Sequence, residues 1–451
     1  MSPSKITVSL TEGPVAGHLY RMAMPMVWSI LLMMSFNVID TWFVSRLGVA
    51  ELAAMSFTFP VVMTVSSLAI GLGAGVSSVV ARAQGSGNTD KVRQLVTDGS
   101  ILATALGVAI TIIGLAINRP LFQALGASDE TMPLILDYMV IWFIGAPLVI
   151  APMVALSSLR ALGNSMITAK IMAIGSVINI VLDPILIFGL LGAPRLELQG
   201  AAMATVAARL LTFVAGYYYL KKAGVLAPPT LNFSRMWESW KGILHVGLPA
   251  VATNMIIPIA GGVVVALVAQ HGREAVAGLG VAMRIEPIAL IVFYALSSVA
   301  GPFFGQNASA GKVHRLHETL NILTRFCILL GLGLAVALFF GGSFLASFFS
   351  TEEQVLYVAS AYLAVVPLSY AGYGLLMSIN AAFNGLGKPL PATALSFLRV
   401  MGLYLPLALV ANHFFGIPGL FAATFFCNLV MGLLGWWWLR RAIQAVPEKP
   451  E

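Results

Sequence analysis

Apolar residues run along this chain in long blocks, separated by short polar stretches rich in Gly and Pro, and the blocks recur from near Met22 almost to the end. A hydrocarbon core about 30 Å thick takes about 20 apolar residues of helix, so blocks of this length predict transmembrane helices. A β-barrel would show short alternating segments instead. About twelve spans follow, centred near residues 33, 68, 105, 144, 176, 210, 258, 290, 330, 367, 401 and 428. The expectation is an all-α integral membrane protein.

Composition sharpens this. Of 451 residues, 59% are hydrophobic and only 10% charged, against about 25% charged in a soluble domain. The net charge of +7 would suggest nucleic acid in a soluble protein. Here the basic residues sit in short loops between spans, so no nucleic-acid partner is expected and the charge sets orientation instead. With both termini on the cytoplasmic side, the inner segments collect, among others, Arg82, Lys91, Arg93, Lys170, Lys221, Lys222, Arg235, Lys241, Lys312, Arg315, Arg440 and Arg441. The outer segments then hold only Arg46, Arg119, Arg195 and Arg273. The polar N-terminal stretch has no apolar core followed by a small-residue cleavage site, so a removable signal peptide is not expected. Cys327 and Cys427 lie in apolar runs, where a thiol behaves as a small hydrophobe.

The chain also repeats itself. LYRMAMPMVWS aligns with ILHVGLPAVAT, setting Pro25 opposite Pro249, and Gly48–Ala54 aligns with Gly272–Gly278 at the same offset. The register continues through VRQL and VHRL, through LGN and LGK, and through Pro184 and Pro406. Two six-helix lobes are implied, residues 1–221 and 242–451. Six is an even number, so both lobes insert alike and a pseudo-two-fold axis along the membrane normal would relate them. Residues 222–241 form a cytoplasmic linker, in which Trp237 and Trp240 beside Arg235 and Lys241 predict a short amphipathic helix at the interface.

Familiar enzymatic signatures are missing. GLGAG at Gly71–Gly75 lies within a span with no strand before it, which suits close helix packing rather than a nucleotide loop. HRLH at His314–His317 lies in a basic inner loop without a third ligand, and a solvated face explains it better than a metal site. Two nearby carboxylates could act as acid and base, but no metal set or activated nucleophile accompanies them, so an enzyme is not expected.

Embedded polar residues carry the chemistry. An ionised side chain in hydrocarbon costs about 2.5–3.5 kcal/mol or more, so its presence asks for a reason. Asn37 and Asp40 are three apart on the first span, and Asn179 and Asp183 are four apart on the fifth, so each pair shares a helical face. At 1.5 Å per residue Asp40 lies about 25 Å and Asp183 about 20 Å from the inner ends of their helices, which puts both in the outer half of the bilayer. The position matching Asp40 in the second lobe is Val264, and the seventh and tenth spans carry no acid. Secondary candidates are Arg284 and Glu286, two apart and therefore facing different ways, and Asn380, which suits helix contacts or a cavity lining. Arg209 and Arg284 are read as the only intramembrane arginines. Pro25 leaves a carbonyl without its helical partner and is a candidate hinge.

Taken together, AMPMVWSILLMMSFNVIDTWFVSRLG, ARAQGSGNTDKVRQL, ALSSLRALGNS with NIVLDPILIFG, GAAMAT, VAMRIEP and FGQNASAGKVHRL resemble the multidrug and toxic compound extrusion (MATE) family over nearly the whole chain. The first-lobe acids are similar to those of its prokaryotic branch, in which an acidic site is built inside the amino-terminal lobe. That resemblance implies secondary active multidrug efflux by cation antiport, with Asp40 and Asp183 as coupling carboxylates. It implies Asn179, Tyr138 and Thr205 as their hydrogen-bonding neighbours, with Asn37 beside them. The coupling ion would be H⁺ by preference, with Na⁺ open, and no other cofactor is implied. The implied cargo is small organic compounds, amphipathic and often cationic, handled by a monomer in a bacterial or archaeal cytoplasmic membrane. A lipid or lipid-linked oligosaccharide flippase of related architecture would share the two lobes but would need a more basic cavity.

Overall fold

The computed structural model describes residues 7–228 and 232–448, and no strand occurs among them. In chain order the helices are α1 (Val15–Ser45), α2 (Val49–Gly85), α3 (Thr89–Ala124), α4 (Met132–Ile144), α5 (Ala146–Ala161), α6 (Ser165–Phe188) and α7 (Glu197–Lys222). There follow α8 (Phe233–Ala269), α9 (Arg273–Ala289), α10 (Ile291–Ser309), α11 (Val313–Ser347), α12 (Glu353–Val365), α13 (Tyr370–Gly385), α14 (Pro389–Phe397) and α15 (Leu405–Gln444).

Nine stretches among the described residues are long and apolar enough to cross a membrane, and the bent pairs α4–α5 (44°) and α9–α10 (48°) bring the number to eleven. The last stretch, Pro389–Gln444, has 56 residues. A straight helix of that length would run about 84 Å, nearly three times the hydrocarbon thickness. Gly416, at φ 61° and ψ −141°, breaks it. Counted as two spans, it completes the twelve.

Several expected span centres fall where the helices break. The fourth breaks at Gly145, the eighth at Leu290, and the tenth at a 3₁₀ turn, Val366–Ser369. The eleventh passes through a π-helical segment, Leu398–Tyr404. Each break has a proline beside it, namely Pro147, Pro287, Pro367 and Pro406. A proline cannot donate to the carbonyl four residues earlier, so that acceptor needs another partner. For Pro147 the acceptor is the Phe143 carbonyl, and Thr111 Oγ1 on α3 donates to it at 2.7 Å.

Polar loops set the helix starts. Asn88 and Asn164 cap α3 and α6, accepting from Lys91 N at 2.9 Å and Ile167 N at 3.0 Å. The LGN and LGK loops each turn on a glycine at positive φ, Gly163 at 84° and Gly387 at 73°, as a shared register requires.

The chain divides into two compact units. The first comprises Met1–Ser9 and Met24–Val251, the second Leu10–Ala23 and Ala252–Glu451. Thus α1 leaves the second unit just before Pro25, and α8 leaves the first just after Pro249. In the first unit α2 and α3 pack on α5, and α6 packs on α7; in the second, α13 packs on α10 and α15. Small residues make the approach close. A Cβ added at Gly73 would meet Ser157 Oγ on α5 at 2.7 Å, and one at Gly71 would meet the Gly247 carbonyl of α8 at 2.9 Å. GLGAG is therefore a packing surface. In the second unit Gly301 faces the Ala381 carbonyl in the same way, at 3.0 Å.

Two local expectations change. The segment around Trp237 and Trp240 is not a separate short helix but the first turns of α8, capped by Asn232, which accepts from Arg235 N at 3.2 Å. Trp240 Nε1 donates to the Asp98 carbonyl at 2.9 Å, so its polar edge is held by the first unit's own backbone. Within HRLH, His314 is exposed as expected, but Arg315 is buried. Its guanidinium donates to Asn307 Oδ1 at 2.8 Å and to the carbonyls of Gly13 at 2.6 Å and Leu10 at 3.0 Å, all within the second unit.

Candidate functional site

Asp40 arrives in the first unit on α1, five residues before the helix ends, and is 7% exposed. One of its carboxylate oxygens, Oδ1, is buried without a hydrogen-bond partner. On α6 Asn179 and Asp183 point inward, at 2% and 0% exposure, and Pro184 follows at once. Tyr138 on α4 is also buried, and Thr205 on α7 is half-buried.

These residues converge. In the amide orientation that satisfies both neighbours, Asn179 donates to Asp183 Oδ2 at 2.9 Å and accepts from Thr205 N at 3.2 Å and Thr205 Oγ1 at 3.3 Å. Asp40 and Asp183 bear on each other electrostatically, and both bear on Tyr138. Neither acid has a basic partner, because the ion pairs among the described residues are Arg93 with Asp90 and Arg195 with Glu197. Two carboxylates buried together without a base are costly unless a proton or a cation joins them. The oxygens of Asp40, Asp183, Asn179 and Thr205 are suited to receive one. No set of three or more His, Cys, Asp or Glu side chains suited to a metal occurs among the described residues.

Other expected site residues lie elsewhere. The Asn37 side chain is exposed, and its carbonyl accepts from Thr41 Oγ1 at 2.9 Å within the same helix. Pro25 lies inside α1, where that helix enters the first unit. Arg284, Glu286 and Asn380 belong to the second unit. Arg284 is exposed, Glu286 accepts from Tyr362 Oη at 2.9 Å, and Asn380 Nδ2 donates to Ser396 Oγ at 3.0 Å.

One sequence expectation is corrected here. Arg209 and Arg284 are not the only arginines within spans, because Arg399 stands in the π segment in the middle of the eleventh, over the Tyr373 ring at 4.7 Å. Its signal was a lone base in the apolar run LSFLRVMGLYLPL. The same cost that singled out Asp40 applies to it.

The MatE family model matches the chain twice, over residues 25–185 and 249–410, and so begins in each lobe at the paired prolines Pro25 and Pro249. The chain belongs to the MatE family, a family of membrane transporters rather than enzymes. It is similar to the FAD transporter of Shewanella oneidensis, 37% identical over 438 residues covering 97% of each chain. It is also similar to the multidrug export protein MepA of Staphylococcus aureus, 25% identical over 413 residues and 90% of each. Among solved structures it resembles the Vibrio cholerae MATE transporter VcmN in the bent form, with a TM-score of 0.90 and 28% identity over 95% of this chain and 97% of that one.

Proposed function

We propose that this protein is a secondary active exporter in which Asp40 and Asp183 take up a cation, H⁺ in preference to Na⁺, in exchange for an organic compound. The observation that carries the reading is the acid pair itself, buried without a base and with Asp40 Oδ1 unpartnered. A proton joins such a pair as a single O–H, whereas sodium asks for several oxygen ligands held at once. A proton entering down about 150 mV yields about 3.5 kcal/mol, enough for a few-hundred-fold gradient of a neutral cargo. The protein acts as a monomer in a prokaryotic cytoplasmic membrane, with both termini inside.

Amphipathic and often cationic compounds are the first cargo class, supported by the multidrug export relatives. A flavin dinucleotide is the second, supported by the 37% identity to a FAD transporter. The two differ in energetics. Each negative charge leaving a negative-inside cell is itself driven outward by about 3.5 kcal/mol at about 150 mV. A cationic cargo moves against that field and depends on coupling throughout.

Everted vesicles loaded with ΔpH or a sodium gradient test the reading by uptake of a cationic dye and of FAD. An uncoupler should stop dye transport while sodium-free buffer leaves it intact. Transport that survives loss of the proton gradient and fails without sodium would replace H⁺ by Na⁺ at the same site. Vesicles that move neither cargo would end the exporter reading.

A further inference from the structure

The register of the two halves leads to a second site. Val264 stands where the first half has Asp40. GLFAAT, residues 419–424, aligns with GAAMAT, residues 200–205, so that Thr424 matches Thr205 and Asn428 matches Arg209. In the second unit Val264, Thr424 and Asn428 line one open-mouthed recess, together with Arg399, Val400 and Tyr404. The recess thus holds the counterparts of two acid-site residues, Asp40 and Thr205, and adds an arginine from the eleventh span.

Arg399 is held in place from several sides. It sits in the π segment Leu398–Tyr404, a geometry frequent at functional sites. The Tyr373 ring lies beneath its guanidinium at 4.7 Å, and Nη1 donates to Asn428 Oδ1 at 3.2 Å. Asn428 is 4% exposed and is itself fixed by donating from Nδ2 to Ser369 Oγ at 3.0 Å. A guanidinium has five N–H donors in a planar fork that matches carboxylate and phosphate. Glu286 bears on it electrostatically but forms no ion pair with it within 4.0 Å, so the fork keeps donors for a further anion. That carboxylate accepts from the hydroxyl of Tyr362 at 2.9 Å.

We propose that this recess binds the anionic group of an organic compound, a carboxylate or a phosphate monoester, on the Arg399 fork, beside Val264 and Val400. The recess is small and open-mouthed, so it takes the anionic group itself and leaves the rest of the ligand outside it. The inference rests on the transport reading only in treating the ligand as cargo. A lipid headgroup phosphate offers the same chemistry.

Riboflavin and flavin mononucleotide differ by one phosphate, and their fluorescence reports binding to the full-length protein in phosphatidylcholine nanodiscs. The mononucleotide should bind at least about tenfold tighter, as a charge-assisted contact implies. Arg399→Gln should remove that preference while riboflavin binding persists. Val264→Asp leaves the arginine in place but sets a carboxylate in the recess, and should remove the preference too. Equal binding of the two flavins by the wild type, or a preference that survives in both variants, would overturn the site. With phosphatidylglycerol in the disc, competition against the mononucleotide identifies a headgroup as the occupant; no competition identifies a soluble anion. Binding is read without a gradient, so failed vesicle transport with an intact phosphate preference removes the transport reading and leaves the site standing.

Discussion

At matching positions of the repeat, the first unit has Asp40, Asn179, Asp183 and Thr205, and the second has Val264, Met401, Leu405 and Thr424. The helices around those positions kept their prolines, their loop glycines and their packing partners, while the polar chemistry was replaced almost entirely. An acid within a span of the second unit, Glu286, stands on α9 and accepts from a tyrosine of α12. Backbone constraints thus outlast side-chain chemistry. A proline or a positive-φ glycine answers to its own helix, whereas a buried charge is kept only while it has a task.

If the task of coupling belongs to the first unit alone, the largest effect should follow from Asp40→Asn or Asp183→Asn. Each keeps the side-chain shape and removes the titratable proton. Gradient-driven efflux in vesicles should fall about a hundredfold, equivalent to about 2.7 kcal/mol, with cargo binding retained. Wild-type efflux in both variants would dissolve the contrast between the units.

A smaller effect is expected at the point where α1 enters the first unit. Pro25→Ala restores a backbone bond and should bias one conformation, lowering turnover about fivefold with cargo affinity unchanged. Unchanged turnover, at equal expression, removes the hinge.

Glu286→Gln sharpens the comparison from the other side. Efflux should stay within about twofold of wild type, while loss of a charge-assisted bond from Tyr362 costs about 1–2 kcal/mol of stability, read as a lower melting temperature. Loss of coupling here would give the second unit a share in it. Smallest of all, Thr205→Val removes one hydroxyl contact to Asn179, at about 1 kcal/mol, and should slow efflux modestly with no shift in ion preference.

Hydropathy alone made the twelve spans legible, because each apolar block matches the bilayer thickness. It did not reveal the breaks at Gly145, Leu290 and Val366–Ser369, since a window averages over them, although Pro147, Pro287 and Pro367 mark each one. The contact of Asn179 with Asp183 could be read from a spacing of four, which leaves two side chains about 40° apart around a helix. Asn37 and Asp40, three apart, diverge by about 60°, and Asn37 ends up exposed. Tyr138 and Thr205 bear on the site from other helices, and no local pattern announces them; family resemblance did. Arg399 is marked only by being a lone base in an apolar run, and its partners Tyr373 and Asn428 are distant in sequence, so no spacing announces the contacts it makes.

The exchange of chain between the units bears on how this gene can be divided. A cut in the linker near residue 230 gives two products, and the second lacks Leu10–Ala23, which belong to its own unit. Its Arg315 would then have lost the Leu10 and Gly13 carbonyls that accept from it. Neither product is a freestanding module, so the two cistrons should yield active transporter when expressed together and insoluble or degraded material when expressed apart. A purification tag fused directly to Leu10 should lower the yield of intact protein, whereas one joined to the C-terminus should not.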